Sequence, residues 1–410
     1  MDTIFVGIDV SLKSNSVFIM SPEGNKLSSF TVNNNSVGAK RIVDTVVSEM
    51  KTVNVDNVKF GLEATSSYGD LISGFLKQDQ TISSSNKKIH ILNAKQVNKF
   101  KKSYGDIPKT DNMDAFIIAD CLRFGRIGTK EAYMDEKFKA LQQLTRARYM
   151  LTKDLAREKN RYLNHLYLKF SEMAQSDLFS NNFGTTAMAL VDEFESVDQI
   201  AYTPVEDLVS FLCEKGKNHF TDPEGLAKAI QKAARSSYRL PKTVEGSVNQ
   251  VLAISAQTIR FYYGQLKEYD KIISSQMENI PNTLISIKGI GAVYSAGILA
   301  EIGDVNRFKD QAALAKYIGL TWSKYQSGEF EADNTHMISS GNRYLRYYIL
   351  EATNLVRQHD AELKRFYQQK YAETPKTPHK RALVLTARKF VRLIYALLRD
   401  NRLYIPSKFD

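Results

Sequence analysis

Between residues 3 and 124, short apolar runs alternate with longer amphipathic ones. Strand-like runs occupy 3–10, 15–20, 27–32, 57–62 and 88–92. Helical spacing marks 37–51, 67–78 and 111–124. The turn Ser21-Pro22-Glu23-Gly24-Asn25 joins the second and third strands as a hairpin. Three hairpin-linked strands followed by alternating helices and strands predict a mixed α/β sheet.

From Phe138 the pattern changes to long helical stripes. Leu141, Leu144, Leu151, Leu155, Tyr162 and Leu166 form one. Val244, Val248, Val251, Ile259, Tyr262, Leu266, Tyr269, Ile273 and Ile280 form another. Together they predict a long antiparallel coiled coil. Residues 170–240 between them hold shorter helical pieces and read as an insert. A third unit starts near Pro281 and ends in a helix near 380–399. The expected division is 1–130, 131–280 and 281–410.

The composition narrows the partner. The chain has 410 residues, a hydrophobic fraction of 43% and a net charge of +11. That length implies two or three domains, and the charge favours a polyanionic partner. Basic residues are concentrated at 87–109 and 343–410. Two cysteines, Cys121 and Cys213, make neither a zinc site nor a disulfide framework, which suits a reducing, cytoplasmic setting. The first residues read as a strand, not a signal peptide, and no apolar run is long enough to span a membrane.

Four acids carry the candidate chemistry. Asp9 follows the run Ile4-Phe5-Val6-Gly7-Ile8, and Glu63 ends the run Val58-Lys59-Phe60-Gly61-Leu62. Asp111 and Asp114 open a helix for which Thr110 is the expected N-cap. Acids in a first turn usually complement the helix dipole and face solvent. Asp111 and Asp114, however, share a face with Ala115, Ile118 and Leu122, which should pack on the sheet. The strand order is that of the ribonuclease-H-like fold, which would bring all four carboxylates together. Their repulsion calls for a cation, and oxygen-only ligands suit Mg²⁺ or Mn²⁺ rather than zinc. Two such ions can stabilise both oxygens of a phosphoryl transfer.

The segments Gly7-Ile8-Asp9-Val10, Gly61-Leu62-Glu63-Ala64-Thr65-Ser66-Ser67-Tyr68-Gly69 and Lys109-Thr110-Asp111-Asn112-Met113-Asp114-Ala115 closely resemble the DEDD transposases. These are bacterial insertion-sequence recombinases related to the Piv DNA invertases. Ile287-Lys288-Gly289-Ile290-Gly291, Tyr317-Ile318-Gly319-Leu320-Thr321, Tyr325-Gln326-Ser327-Gly328 and Ile338-Ser339-Ser340-Gly341-Asn342-Arg343 resemble the same family's C-terminal transposase domain. The resemblance implies a RuvC-like N-terminal domain whose Asp9, Glu63, Asp111 and Asp114 bind Mg²⁺. It implies that Ser327 attacks a DNA phosphate to give a covalent phosphoserine, with the acids and the serine supplied by different protomers. It further implies donor and target DNA as substrates, a structured bridge RNA as guide, and a homo-oligomer: a dimer, or a tetramer on DNA. Lys288 and Trp322 stand where the family commonly has Pro.

In the C-terminal unit, Gly289-Ile290-Gly291 reads as a helix-hairpin-helix-like turn able to approach a phosphate. Ser327 has no neighbouring His, so a hydrolase-type pair is not suggested. Lys288, Lys324, Arg343 and Arg346 are candidate phosphate contacts, as are Arg381, Arg388 and Arg392 on the last helix. Lys99, Lys101, Lys102 and Lys109 form a second candidate nucleic-acid surface; a solvated basic face is the plain alternative for each group. Two other functions stay open: a Holliday-junction-type metal-dependent nuclease, and a non-catalytic nucleic-acid-binding derivative.

Overall fold

The computed structural model describes residues 2–406 except 65–67, 85, 106–109, 126–135, 323–325, 328–329, 332–336, 339 and 375. It divides into two compact units, residues 1–134 and 135–410.

The first unit is built on strands β1 (Thr3–Val10), β2 (Ser14–Met20), β3 (Lys26–Asn33), β4 (Asn57–Glu63) and β5 (Lys87–Leu92). Their order is β3-β2-β1-β4-β5. β1, β2 and β3 pair antiparallel, and β1, β4 and β5 pair parallel. This is the mixed sheet expected above. Helices α1 (Ser36–Thr52) and α2 (Tyr68–Gln78) cover one face, where Ile42, Val46, Ile72 and Leu76 bury against Ile4, Val6, Ile8 and Leu62. The other face carries α3 (Ala94–Lys101) and α4 (Asp111–Phe124) over Phe5, Met20 and Leu92. The pattern gave no expectation of α3. Its sequence holds only Val97 and Phe100 as large apolar residues. Its legible signal is Asn93, whose side chain caps the Lys95 amide.

The second unit begins with α5 (Glu136–Lys169) and contains α11 (Lys242–Met277) lying against it. They run antiparallel: Arg148 of α5 pairs with Asp270 of α11, and Glu158 accepts a hydrogen bond from Ser255, 2.6 Å away. The expected apolar stripe on α11 is buried only in part, with Val244 and Val251 exposed. Val248, Leu252 and Ile259 bury near one end, and Ile273 and Met277 near the other. Between them, Tyr262, Leu266 and Tyr269 are only half-buried. The reason is that the two ends serve different cores. Residues 170–240 fold as α6 (Ser171–Gln175), α7 (Thr185–Glu193), α8 (Val197–Tyr202), α9 (Val205–Gly216) and α10 (Pro223–Ser236). Leu190, Ile200, Leu212 and Ile230 of this lobe pack on Tyr162 and Leu166 of α5.

The other core gathers α12 (Ala292–Ile302), α13 (Gln311–Ile318), α14 (Arg343–His359), α15 (Ala361–Ala372) and α16 (Pro378–Arg399) around Tyr348, Ile298 and Phe390. A short hairpin of β6 (Gln326–Ser327) and β7 (Phe330–Glu331) lies between α13 and α14 in sequence. The run ahead of Gly289 forms a single 3-10 turn, Leu284–Ser286, rather than the first helix of a helix-hairpin-helix. Too few residues separate Pro281 from Gly289 for a stable helix. Gly289 itself has φ +101°, and its α-carbon backs onto Leu355 and Val356 of α14. Among the described residues, no helix is long and apolar enough to cross a membrane.

Candidate functional site

Two strand ends and one helix start make the acidic site. β1 and β4 run in register, with Gly7 opposite Gly61 and Ile8 opposite Leu62. Asp9 and Glu63 come next. Side chains alternate along a strand, so each acid lies on the same face as the glycine two residues before it. That face is covered by α4. A Cβ on Gly7 would fall 2.0 Å from the Ala115 carbonyl oxygen, and one on Gly61 2.7 Å from Leu122 Cδ1. The two glycines therefore let α4 lie close on the sheet. Thr110 caps the helix as expected, accepting from the Met113 amide at 3.3 Å.

The four acids feel one another. Asp9 is held above the usual carboxylate range, first by burial and then by the charges of Asp114 and Asp111. Glu63 is raised by burial and then by Asp9 and Asp114. One cation opposes them. The Lys101 ammonium donates to Asp114 Oδ1 at 2.5 Å and lowers both Asp9 and Glu63. Phe100, one residue earlier, packs on Tyr104 and Phe124 at 5.6 and 5.5 Å and holds the end of α3 on α4. Lys101, expected on a nucleic-acid surface, is paired with Asp114 beside the acids. Spacing along a chain does not reveal which carboxylate a lysine will meet.

Among the described residues, no three Asp, Glu, His or Cys side chains are already gathered around one point. The donor chemistry still fits a hard divalent cation: carboxylate oxygens, with Asp9 and Glu63 both raised by burial and by other carboxylates. Asp9, Glu63, Asp111 and Asp114 are the side chains able to hold it. Cys121 is excluded as a nucleophile, because burial, with Asp120 and Glu63, pushes its thiol up to about 12. Asp120 is a third acid on α4, not anticipated from the sequence. It is buried, bonded by the Tyr104 hydroxyl and paired with Arg123 Nε at 2.7 Å, which is a structural role.

In the second unit, Ser327 lies in β6, opposite Phe330 of β7. The hairpin's flanks are tied together. The Ile338 amide donates to Thr321 O at 2.8 Å, and the Asn342 amide to Tyr317 O at 2.8 Å. Beneath them sits Glu301, which is fully buried. Arg146 of α5 grips it through Nε at 2.6 Å and Nη2 at 3.0 Å. The Asn342 side chain donates to the same carboxylate at 2.6 Å. Its other end, Oδ1, caps the Tyr344 and Leu345 amides at the start of α14. Glu301 was missed, although an acid closing the apolar run of α12 is the usual sign of a buried ion pair.

The expected basic contacts divide. Lys99, Lys102, Lys288, Arg343, Arg381 and Arg392 are exposed. Arg346 donates to Ile318 O at 3.4 Å, at the end of α13. Arg388 is half-buried, bonds Gln311 at 2.7 Å, and is lowered by burial and by Arg392. Both are held in place by the fold, Arg346 against the end of α13 and Arg388 against its first residue. Lys109 and Lys324 lie outside the described residues, as do Thr65, Ser66 and Ser67 of the second motif.

Residues 6–171 match a family model described as a transposase, of the DEDD IS110 type. Residues 282–368 match the model of the transposase IS116/IS110/IS902 family. The first stretch contains all four acids and the second contains Ser327. The chain belongs to the IS110-type family of insertion-sequence transposases. The 44.8 kDa protein of insertion element IS116 from Streptomyces clavuligerus is 25% identical, over 99% of this chain and 97% of its own. The 42 kDa protein of IS900 from Mycobacterium paratuberculosis is 24% identical, over 74% of this chain and 75% of its own. The solved T. thermophilus RuvC in complex with Holliday junction substrate aligns with 32% of this transposase and 99% of its own chain. Its identity is 11% and its TM-score 0.24, a likeness too slight to carry an argument.

Proposed function

We propose that this transposase cuts and rejoins DNA by phosphoryl transfer to Ser327, with Mg²⁺ or Mn²⁺ held by Asp9, Glu63, Asp111 and Asp114. The support for the reading is that Asp9 and Glu63 close β1 and β4 under α4, each held above its ordinary range first by burial and then by other carboxylates, Asp114 and Asp111 for Asp9, Asp9 and Asp114 for Glu63. In the reaction, Ser327 Oγ bonds to phosphorus while the bond to a deoxyribose oxygen breaks. The hydroxyl proton leaves the serine, and the departing oxygen takes one up. A bound divalent ion would supply charge neutralisation for the phosphate. The RuvC-like description of the N-terminal unit, the bridge RNA that pairs with donor and target DNA, and the sharing of a site between protomers belong to the same proposal.

Self-association has its own support. Val244, Val251, Ile254, Phe261 and Ile272 of α11 are all exposed, at steps of seven, three, seven and eleven residues. Those steps keep them on one heptad stripe, the kind a second copy covers.

The test is a cleavage assay on DNA spanning the ends of the element, with Mg²⁺ present. Ser327→Ala should abolish the covalent protein–DNA adduct while leaving DNA binding intact. Asp9→Ala should lower strand cleavage at least about 100-fold. An adduct that persists in the serine variant removes Ser327 from the chemistry. Cleavage without any adduct in the parent protein would favour a metal-dependent nuclease.

A further inference from the structure

Along α5, Met150, Lys153, Arg157 and Asn160 follow one another at steps of three, four and three residues. That spacing puts them on one stripe, about 15 Å long. With Tyr149 and with Arg343, the first residue of α14, they line a groove of about 380 Å³. Among the described residues, no acid lines it. Arg157 pairs with Asp154 on its own helix. Lys153 and Arg343 form no ion pair among the described residues. Instead they lie over aromatic rings: Lys153 is 5.4 Å from the centre of Tyr149 and 5.6 Å from that of Tyr347, and Arg343 is 5.0 Å from Tyr344.

These rings are fixed before any ligand arrives. Tyr149 stands edge-on to Tyr344 at 5.1 Å and to Tyr347 at 4.9 Å. Arg146 stacks on Tyr344 at 4.6 Å and is itself held by buried Glu301. Buried Glu301 thus fixes Arg146, and Arg146 in turn backs the Tyr344 ring. The groove's own cations are exposed, and two of them, Lys153 and Arg343, lie against a fixed aromatic wall without an acid partner among the described residues. Cations that track a backbone beside rings that accept a base or sugar suit a nucleic-acid strand. A membrane surface is disfavoured, because the groove offers one exposed methionine and no wider apolar face to enter lipid.

We propose that the groove between α5 and the start of α14 binds a nucleic-acid strand, with Lys153, Arg157 and Arg343 on its phosphates and Tyr149 beside a base or sugar. The inference deepens the proposed function by locating a strand-holding surface on the serine-bearing unit, next to the segment that Asn342 anchors. DNA and RNA share the chemistry, so both are tested.

The full chain is titrated with a fluorescein-labelled single-stranded DNA, the RNA of the same sequence, and the DNA duplex, across a salt series. Lys153→Gln with Arg157→Gln alters only exposed side chains and should fold as the parent does, checked by circular dichroism. At least one probe should bind about tenfold more weakly, and its log–log salt slope should fall by about two. Loss confined to RNA or to DNA identifies the occupant. Arg343→Gln, an independent variant on the other wall, should weaken the same probe. Unchanged affinity and slope for all three probes overturns the proposal. So does unchanged binding with a changed oligomeric mass, which would assign the groove to a protein partner. If the parent neither cleaves nor forms an adduct while Lys153 and Arg157 still govern binding, the catalytic reading fails and the groove stands.

Discussion

Asp9 and Glu63 are each raised chiefly by burial and then by other carboxylates. An acid whose folded pKa is raised favours the folded state at low pH and loses that advantage as pH rises through the raised value. At neutral pH without metal, the charged pair therefore costs stability. Asp9→Asn should melt higher than the parent at pH 7 in chelator, and the gap should close as pH falls below the ordinary carboxylate range. A variant that melts lower at pH 7 would mean that Lys101 already balances the cluster. Asp9 and Glu63 were legible because each ends an apolar, strand-like run, and Asp111 and Asp114 because they open a helix on its apolar face. The partners of Lys101, Glu301 and Arg388 were not, because an ion pair depends on which surfaces meet.

At the level of elements, α4 sets the geometry of the acids, and the glycines under it set α4. A Cβ at Gly7 meets backbone atoms, Ala115 O at 2.0 Å and Ala119 N at 2.5 Å, which cannot step aside. At Gly61 it meets the flexible end of Leu122. Gly7→Ala should cost about 3 kcal/mol in urea unfolding and Gly61→Ala about 1 kcal/mol. Equal costs would show that α4 shifts as a body. The strands and the helices over 36–124 followed from periods of two and 3.6, apart from α3, whose polar sequence hides its single buried residue, Val97. The apolar run before Gly289 read as a helix because periodicity ignores length. With Pro281 behind it, the run has room only for a 3-10 turn.

For the whole molecule, the central observation is that the exposed apolar stripe of α11 stays uncovered within one chain. Phe261→Glu, at the stripe's centre and 62% exposed, should lower the mass measured by light scattering without lowering the melting temperature of the chain. An unchanged mass would place self-association elsewhere. The two cores of residues 135–410 were not legible in the sequence. Both draw on the same two helices, and the apolar residues of a helix do not say which neighbours will cover them.

The length of α5 has a further consequence. Its Thr145 carbonyl accepts the Tyr348 hydroxyl at 2.7 Å in one core, and its Leu166 is buried in the other. The intervening residues span about 32 Å at the helical rise. Because one continuous helix enters both cores, each residue inserted or deleted between Thr145 and Leu166 would turn the lobe of α6–α10 by about 100° and shift it by about 1.5 Å relative to the serine-bearing core.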